Sequence, residues 1–123
     1  MTENASVDYW VGEFNARRAA AGHDLWKLTA TEILAAHAAG VRGFSDANLQ
    51  GAELAGADLS KADLGGANLS YANLSGAILT NAGLQWSDLS YANLSNADLR
   101  ETDRYAAHME GANLEGAIYE SEF

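Results

Sequence analysis

From about residue 42 onward the apolar positions of this chain recur every five residues. Leu stands at 49, 54, 59, 64, 69, 74, 79, 84, 89, 94, 99 and 114, and Phe44, Arg104, Met109 and Tyr119 complete sixteen such slots. Two positions before each centre stands Ala in thirteen units, the exceptions being Arg42, Ser87 and Thr102. One position before it stands Asn or Asp in ten. A period of five fits neither the 3.6 of a helix nor the alternation of a long strand. Within a unit, though, Ala and Leu are two apart, so both can point inward across one short extended step, after which two variable residues turn a corner. Gly at 51, 56, 66, 76, 111 and 116 falls at the second variable position, where turn geometry favours it. Such steps are expected to stack, each bonding to its equivalent one circuit later and filling the axis with like residues.

Residues 1–41 lack this rule and read as helical. Val7, Trp10, Val11 and Phe14 fall at i, i+3, i+4 and i+7, one apolar stripe, with Ser6 placed to cap the start and Gly22 the end. A second helix is expected to open on the capping-box spacing Thr29 to Glu32 and to run through Ile33 and Leu34 to Gly40. These helices are expected to cover the amino-terminal end of the stack, with Phe44 joining Ile33, Leu34 and Val41 beneath them.

The runs GANLSYANLSGAILT and SYANLSNADLR resemble the pentapeptide-repeat family over residues 42–121, and TATEILAAHAAGVRGFSDANL resembles the lead-in of many bacterial members. The resemblance implies a mainly β fold: a right-handed quadrilateral β-helix, four units per coil and about four coils, behind an amino-terminal α-helical cap. The chain then divides into a cap at 1–41, a β-helix at 42–121 and a tail at 122–123. With strands about 4.8 Å apart, four coils stand roughly 19 Å tall. Twenty residues per coil stacks Phe44, Leu64, Leu84 and Arg104 in one column and ends another on Tyr119. A charge at Arg104 cannot stay unpaired inside. Either a bulge or slip brings Tyr105 to the axis, or the Arg reaches out of the last coil.

Composition removes several chemistries. The 123 residues contain no Cys, hence no disulfide, thiolate metal site or thiol nucleophile. His23, His37 and His108 show no metal-ligand spacing, and Gly65-Gly66 lacks the Lys-Ser/Thr of a phosphate loop. Asp58, Asp63, Asp88 and Asp98 are produced by the repeat rule and read as wall residues bonding nearby backbone. Ser87 is an Ala-slot substitution with no base beside it. Sequons begin at Asn4, Asn68, Asn73 and Asn93, the last three because the repeat places Ser after Leu. No catalytic residue, metal site or cofactor is expected. The opening MTENAS has neither a basic nor an apolar leader segment, and no apolar run suggests a membrane span, so the expectation is a cytoplasmic protein without membrane contact. Seventeen acidic against seven basic residues, net −10, disfavours direct nucleic-acid binding.

Two surface features exceed the rule. Tyr71 and Tyr91 are twenty apart and belong at one corner of neighbouring coils, with Trp86 at the adjacent corner. They mark either a partner site or a stack that stiffens the corner. The last coil is acidic: Glu101, Asp103, Glu110, Glu115, Glu120 and Glu122 oppose Arg104, net −5 over 101–123. There Tyr105, Tyr119 and Phe123 are candidates for closing the end or for pairing two copies as a homodimer. The expected function is a noncatalytic scaffold that binds an unidentified protein. The alternative comes from the resemblance, because fluoroquinolone-resistance members imitate duplex DNA and bind type II topoisomerase (DNA gyrase). Residues 42–123 carry 12 acidic and 4 basic groups, net −8, comparable over 19 Å to the roughly 11 charges of duplex DNA at one per about 1.7 Å.

Overall fold

The computed structural model describes residues 5–120. Each five-residue unit brings five backbone N–H groups; in the interior circuits a repeating rule gives four of them backbone acceptors, and the fifth finds one wherever the unit carries Asn or Asp. The Ala N–H closes a tight turn onto the preceding centre, as in Ala72 to the Leu69 carbonyl at 3.1 Å. The next N–H donates to the circuit before (Asn73 to Ala52 O, 2.9 Å), and the Leu N–H to the circuit after (Leu74 to Asn93 O, 2.7 Å). The corner N–H also donates forward, as Tyr71 does to Ser90 O at 3.0 Å. That leaves the N–H just after each Leu. At all ten Asn or Asp positions of the repeat it donates to the side-chain Oδ1 two residues back, at 3.0 to 3.2 Å. The Asn/Asp preference is therefore a backbone requirement met by an Asx turn.

The parallel bridges all join residues twenty apart. They form four ladders: 43-63-83-103, 48-68-88-108, 53-73-93-113 and 58-78-98-118. No slip occurs at Arg104, since Gly83 still pairs with Asp103 and Asp88 with His108. Between these steps the second variable residue has a left-handed backbone in every unit from 46 to 116, whether Gly or not. This is a type II corner, which needs positive φ at that position. Leu54, Leu74 and Leu94 are buried with the other Leu centres up to Leu99, and the Ala column from Ala47 to Ala97 is buried between them except at the half-buried Ala52. Ser87 keeps its Ala slot by donating its hydroxyl to Leu84 O at 2.7 Å, and Thr102 does the same to Leu99 O at 2.8 Å.

The amino-terminal third supplies α1 (Val7–Ala21), β1 (Trp26–Lys27) and α2 (Ala30–Ala39) ahead of β2 (Ala47–Asn48). Ser6 and Gly22 cap α1, and Thr29, Glu32 and Gly40 cap α2, as the sequence signals require. Two expectations about packing fail. Val7 and Val11 stay exposed, because α1 meets the repeats along the single line Trp10 and Phe14; Leu34 is likewise exposed on the outer face of α2. In place of Leu34, Trp26 enters the core. It pairs in parallel with Ala47 while Lys27 pairs with Asn48, so Trp-Lys-Leu 26–28 lies as an imitation Ala-Asn-Leu unit above the first circuit. Phe14 packs 4.8 Å from Trp26 and 6.0 Å from Phe44, ring centroid to centroid.

This cap also satisfies carbonyls that a preceding circuit would otherwise have bonded. Arg18 donates to Gly43 O at 2.8 Å, Trp26 Nε1 to Ser45 O at 2.7 Å, and His37 Nε2 lies 2.8 Å from Ser60 O. The helices are tied together by Arg17, which holds Glu32 at 2.6 Å and Glu13 at 3.2 Å. Hydrogen bonding to Arg17 first, and then to Thr29, outweighs desolvation and lowers the Glu32 carboxyl from 4.5 to about 2.

Two measurements test this account. Ala72→Val adds two methyls where the wall is fully packed and is expected to cost about 1 to 3 kcal/mol in urea unfolding, whereas Gln50→Val on the exposed wall changes stability by about 0.5 kcal/mol or less. Glu32 ionises more readily folded than unfolded, so its contribution is full above pH 4.5 and is lost as pH falls towards about 2. Glu32→Gln keeps the capping box and is expected to lower stability at pH 7 by about 1 kcal/mol, the gap closing by about pH 2 in parallel denaturation series.

Candidate functional site

The side chains free to act are those the backbone rule leaves unused, namely the two variable positions and the outer faces of the ladders. At one corner Tyr71 and Tyr91 stack with ring centroids 5.3 Å apart and planes inclined by 14°. The stack has a floor. A Cβ on Gly111, the next residue down that corner, would collide with the Tyr91 ring, so the ring rests on bare backbone. At the neighbouring corner Trp86 meets Tyr105 edge to face at 5.7 Å. The four rings are 61%, 52%, 63% and 71% exposed for Tyr71, Tyr91, Trp86 and Tyr105, so their packing on one another leaves most of each surface in water.

Tyr105 therefore belongs with Trp86 on the outer wall, and neither closes the axis nor covers the carboxyl-terminal end. The register continues through Arg104, which places Tyr105 at the first variable position beneath Gln85. Arg104 resolves its own conflict by leaning out of the end of the stack, 5.0 Å from the centre of the Tyr119 ring and 3.8 Å from Glu120. Tyr119 is half-buried there beside Met109 and Leu114. Phe123, the tail 122–123 and Asn4 lie outside the described residues.

Between the two aromatic corners runs the second ladder: Asn48, Asn68, Asp88 and His108. The Asp88 carboxylate is held below the ordinary carboxylate range by the hydroxyl and then the N–H of Ser90, both of which donate to Oδ1, at 2.5 and 3.0 Å. Asp58 is lowered by the N–H and then the hydroxyl of Ser60, and Asp98 by Arg100, whose guanidinium occupies both of its oxygens. Among the described residues no group of three or more His, Asp or Glu is placed to hold a metal, and no helix is long and apolar enough to cross a membrane. An open cleft of about 590 Å³ lies beside the cap, lined by Leu25, Trp26 and Leu28 and by the mutually paired Arg17 and Glu32.

The family profile described as pentapeptide repeats matches residues 44–81 and 77–116 in eight copies. A crystal structure of a pentapeptide repeat protein from Nostoc PCC 7120 is 32% identical, with a TM-score of 0.58 over 82% of this chain and 92% of that one. The chain belongs to the pentapeptide-repeat family, and its fold is a β-helical solenoid preceded by two helices. A pentapeptide repeat protein of the Arabidopsis thaliana thylakoid lumen is 36% identical with a TM-score of 0.43, over 63% of this chain and 55% of that one. QnrB1, a plasmid-mediated fluoroquinolone resistance protein, is 22% identical with a TM-score of 0.39, over 62% and 38%. The last two resemblances are too partial to carry an argument. No curated protein matches the sequence.

The contact between Tyr91 and Gly111 can be tested by a double-mutant cycle. Gly111→Ala meets both the positive φ and the ring and is expected to cost about 2 kcal/mol. In a Tyr91→Ala background only the backbone cost of about 1 kcal/mol remains, so the two changes couple by about 1 kcal/mol in thermal unfolding.

Proposed function

We propose that the chain is a right-handed, four-sided β-helix of four coils that acts as a noncatalytic scaffold for a protein partner, bound on the wall bearing Tyr71, Trp86, Tyr91 and Tyr105. The observation that carries this reading is that four aromatic side chains gather on adjacent corners while staying more than half exposed. Exposed aromatics contribute little to a fold, yet they are the residues most enriched in protein interfaces. The corner backbone supports the same reading. Tyr71, Trp86 and Tyr91 have left-handed φ of 62°, 63° and 59°, at a position where eight of the twelve other units from 46 to 116 carry Gly or Asn and none carries a further aromatic residue. Large side chains there cost conformational energy that their modest burial returns only in part.

Imitation of duplex DNA is the weaker reading, because a duplex repeats its charge evenly. Here the acidity is uneven: residues 62–81 hold the single carboxylate Asp63, and residues 101–123 hold six.

Affinity capture from a lysate of the source cells, comparing wild type with a Tyr71→Ala, Trp86→Ala, Tyr91→Ala variant, tests the assignment. A protein retained by wild type and lost from the variant is the expected result. A partner held equally by both would move the site off this wall.

A further inference from the structure

We infer that the aromatic wall takes a cationic occupant: an extended, arginine-bearing segment of a partner protein, its guanidinium groups stacked on the rings at the two corners and paired with Asp88 between them. This inference rests on the scaffold reading and adds the chemistry of the partner. The first support is charge. On the outward faces of residues 43–51, 63–71, 83–91 and 103–111 stand Asp46, Asp63, Asp88, Asp103 and Glu110, with no Lys. The sole Arg of these segments, Arg104, is turned away to Tyr119 and Glu120. The other half of the solenoid also has carboxylates, but it carries Lys61 and Arg100 among them.

The second support is that these carboxylates keep an acceptor in reserve. Asp88 spends Oδ1 on Ser90, and Asp63 and Asp103 spend Oδ1 on the N–H groups of Gly65 and Tyr105. In each the other oxygen has no partner among the described residues. On the far side, Asp98 has both oxygens taken by Arg100. The third support is that the rings lack a cation of their own. The cation–π contacts within the described residues are Arg17 on Phe14, Arg18 on Trp26 and Arg104 on Tyr119, none of them on the exposed wall. A ring face beside an ionised carboxylate attracts a cation by both its quadrupole and the neighbouring charge. Arginine suits it better than lysine, because a planar, weakly hydrated guanidinium stacks on a ring while donating in its own plane to a carboxylate. Corners five residues apart are separated by less than about 17 Å of chain, so a short extended segment reaches both.

The test is fluorescence anisotropy of a labelled oligoarginine peptide with the full chain at about 0.1 M salt, where the Debye length is about 10 Å. A Tyr71→Ala, Tyr91→Ala variant is expected to bind about 5- to 30-fold more weakly. Asp88→Asn, which retains the Oδ1 acceptor for Ser90 and so leaves the turn intact, is expected to bind about 2- to 5-fold more weakly. The far-side control Asp58→Asn, Glu115→Gln, in which the change at Asp58 keeps the Oδ1 acceptor for Ser60, is expected to bind as wild type does, and oligolysine to bind less tightly than oligoarginine. Circular dichroism and the unfolding midpoint establish that each variant is folded. Equal loss from the far-side control, or undiminished binding by the tyrosine variant, overturns the inference. If lysate capture still loses a partner with the triple variant while oligoarginine does not bind, the scaffold reading stands and the cationic occupant is refuted.

Discussion

The solenoid depends on one constraint: every backbone N–H of a five-residue unit must find an acceptor although the unit is too short to form a conventional strand. Three are satisfied by neighbouring circuits and one by the turn, leaving the N–H after Leu, which the side-chain oxygen of the residue before Leu accepts in the ten units that carry Asn or Asp there. The repeat is thus a solution to a hydrogen-bond inventory as much as a pattern of hydrophobicity. Leu fills the axis, Ala lets the walls approach, Asn or Asp closes the inventory, and the corner accepts whatever tolerates a left-handed backbone.

A structure whose stability comes from stacking has a problem at each end, where the inventory cannot close against another circuit. At the amino-terminal end the solution is chemical as well as steric. Arg18, Trp26 and His37 direct side-chain donors at carbonyls of the first circuit, and Trp26 and Lys27 add a fragment of one more rung. The indole of Trp26 illustrates the economy of the cap, because its rings fill the space above Ala47 while its Nε1 satisfies Ser45. At the carboxyl-terminal end the axis finishes on half-buried Met109, Leu114 and Tyr119, and Arg104 takes advantage of that opening to reach Glu120.

Most of this was legible in the sequence wherever one residue type served one repeated purpose. The Leu and Ala columns, the twenty-residue spacing, the helix caps and the Tyr71–Tyr91 stack all follow from counting. What escaped counting were residues whose role depends on a neighbour that breaks the rule. Arg104 at a Leu slot left two outcomes open, a slip carrying Tyr105 inward or an Arg reaching out of the last coil; an end position lets an Arg leave the axis at little cost, so the second holds, the register continues and Tyr105 stays on the wall. Had the column through Gln85 been extended unchanged, Tyr105 would have fallen beneath it. Val7, Val11 and Leu34 fit the helical period but not the contact, because a helix lying across the end of a narrow solenoid touches it along a line thinner than its apolar stripe. Trp26 was missed because a three-residue unit is too short to declare a periodicity.

The same inventory explains why function in such a protein is confined to few positions. With the inward residues fixed by packing and the Asn/Asp column fixed by the Asx turn, only the two variable residues and an occasional ladder residue can change without disturbing the backbone. Corner positions are further restricted, since a β-branched or bulky side chain at positive φ is strained. Aromatic residues at three such corners, two of them stacked down onto a glycine that keeps their floor clear, therefore represent the departure from the repeat that stability explains least. The ladder residue that lies between them is an aspartate with one oxygen committed to the fold and one left over. That division of a single carboxylate, half structural and half available, shows how a backbone-driven repeat acquires a recognition surface without giving up any of the bonds that hold it together.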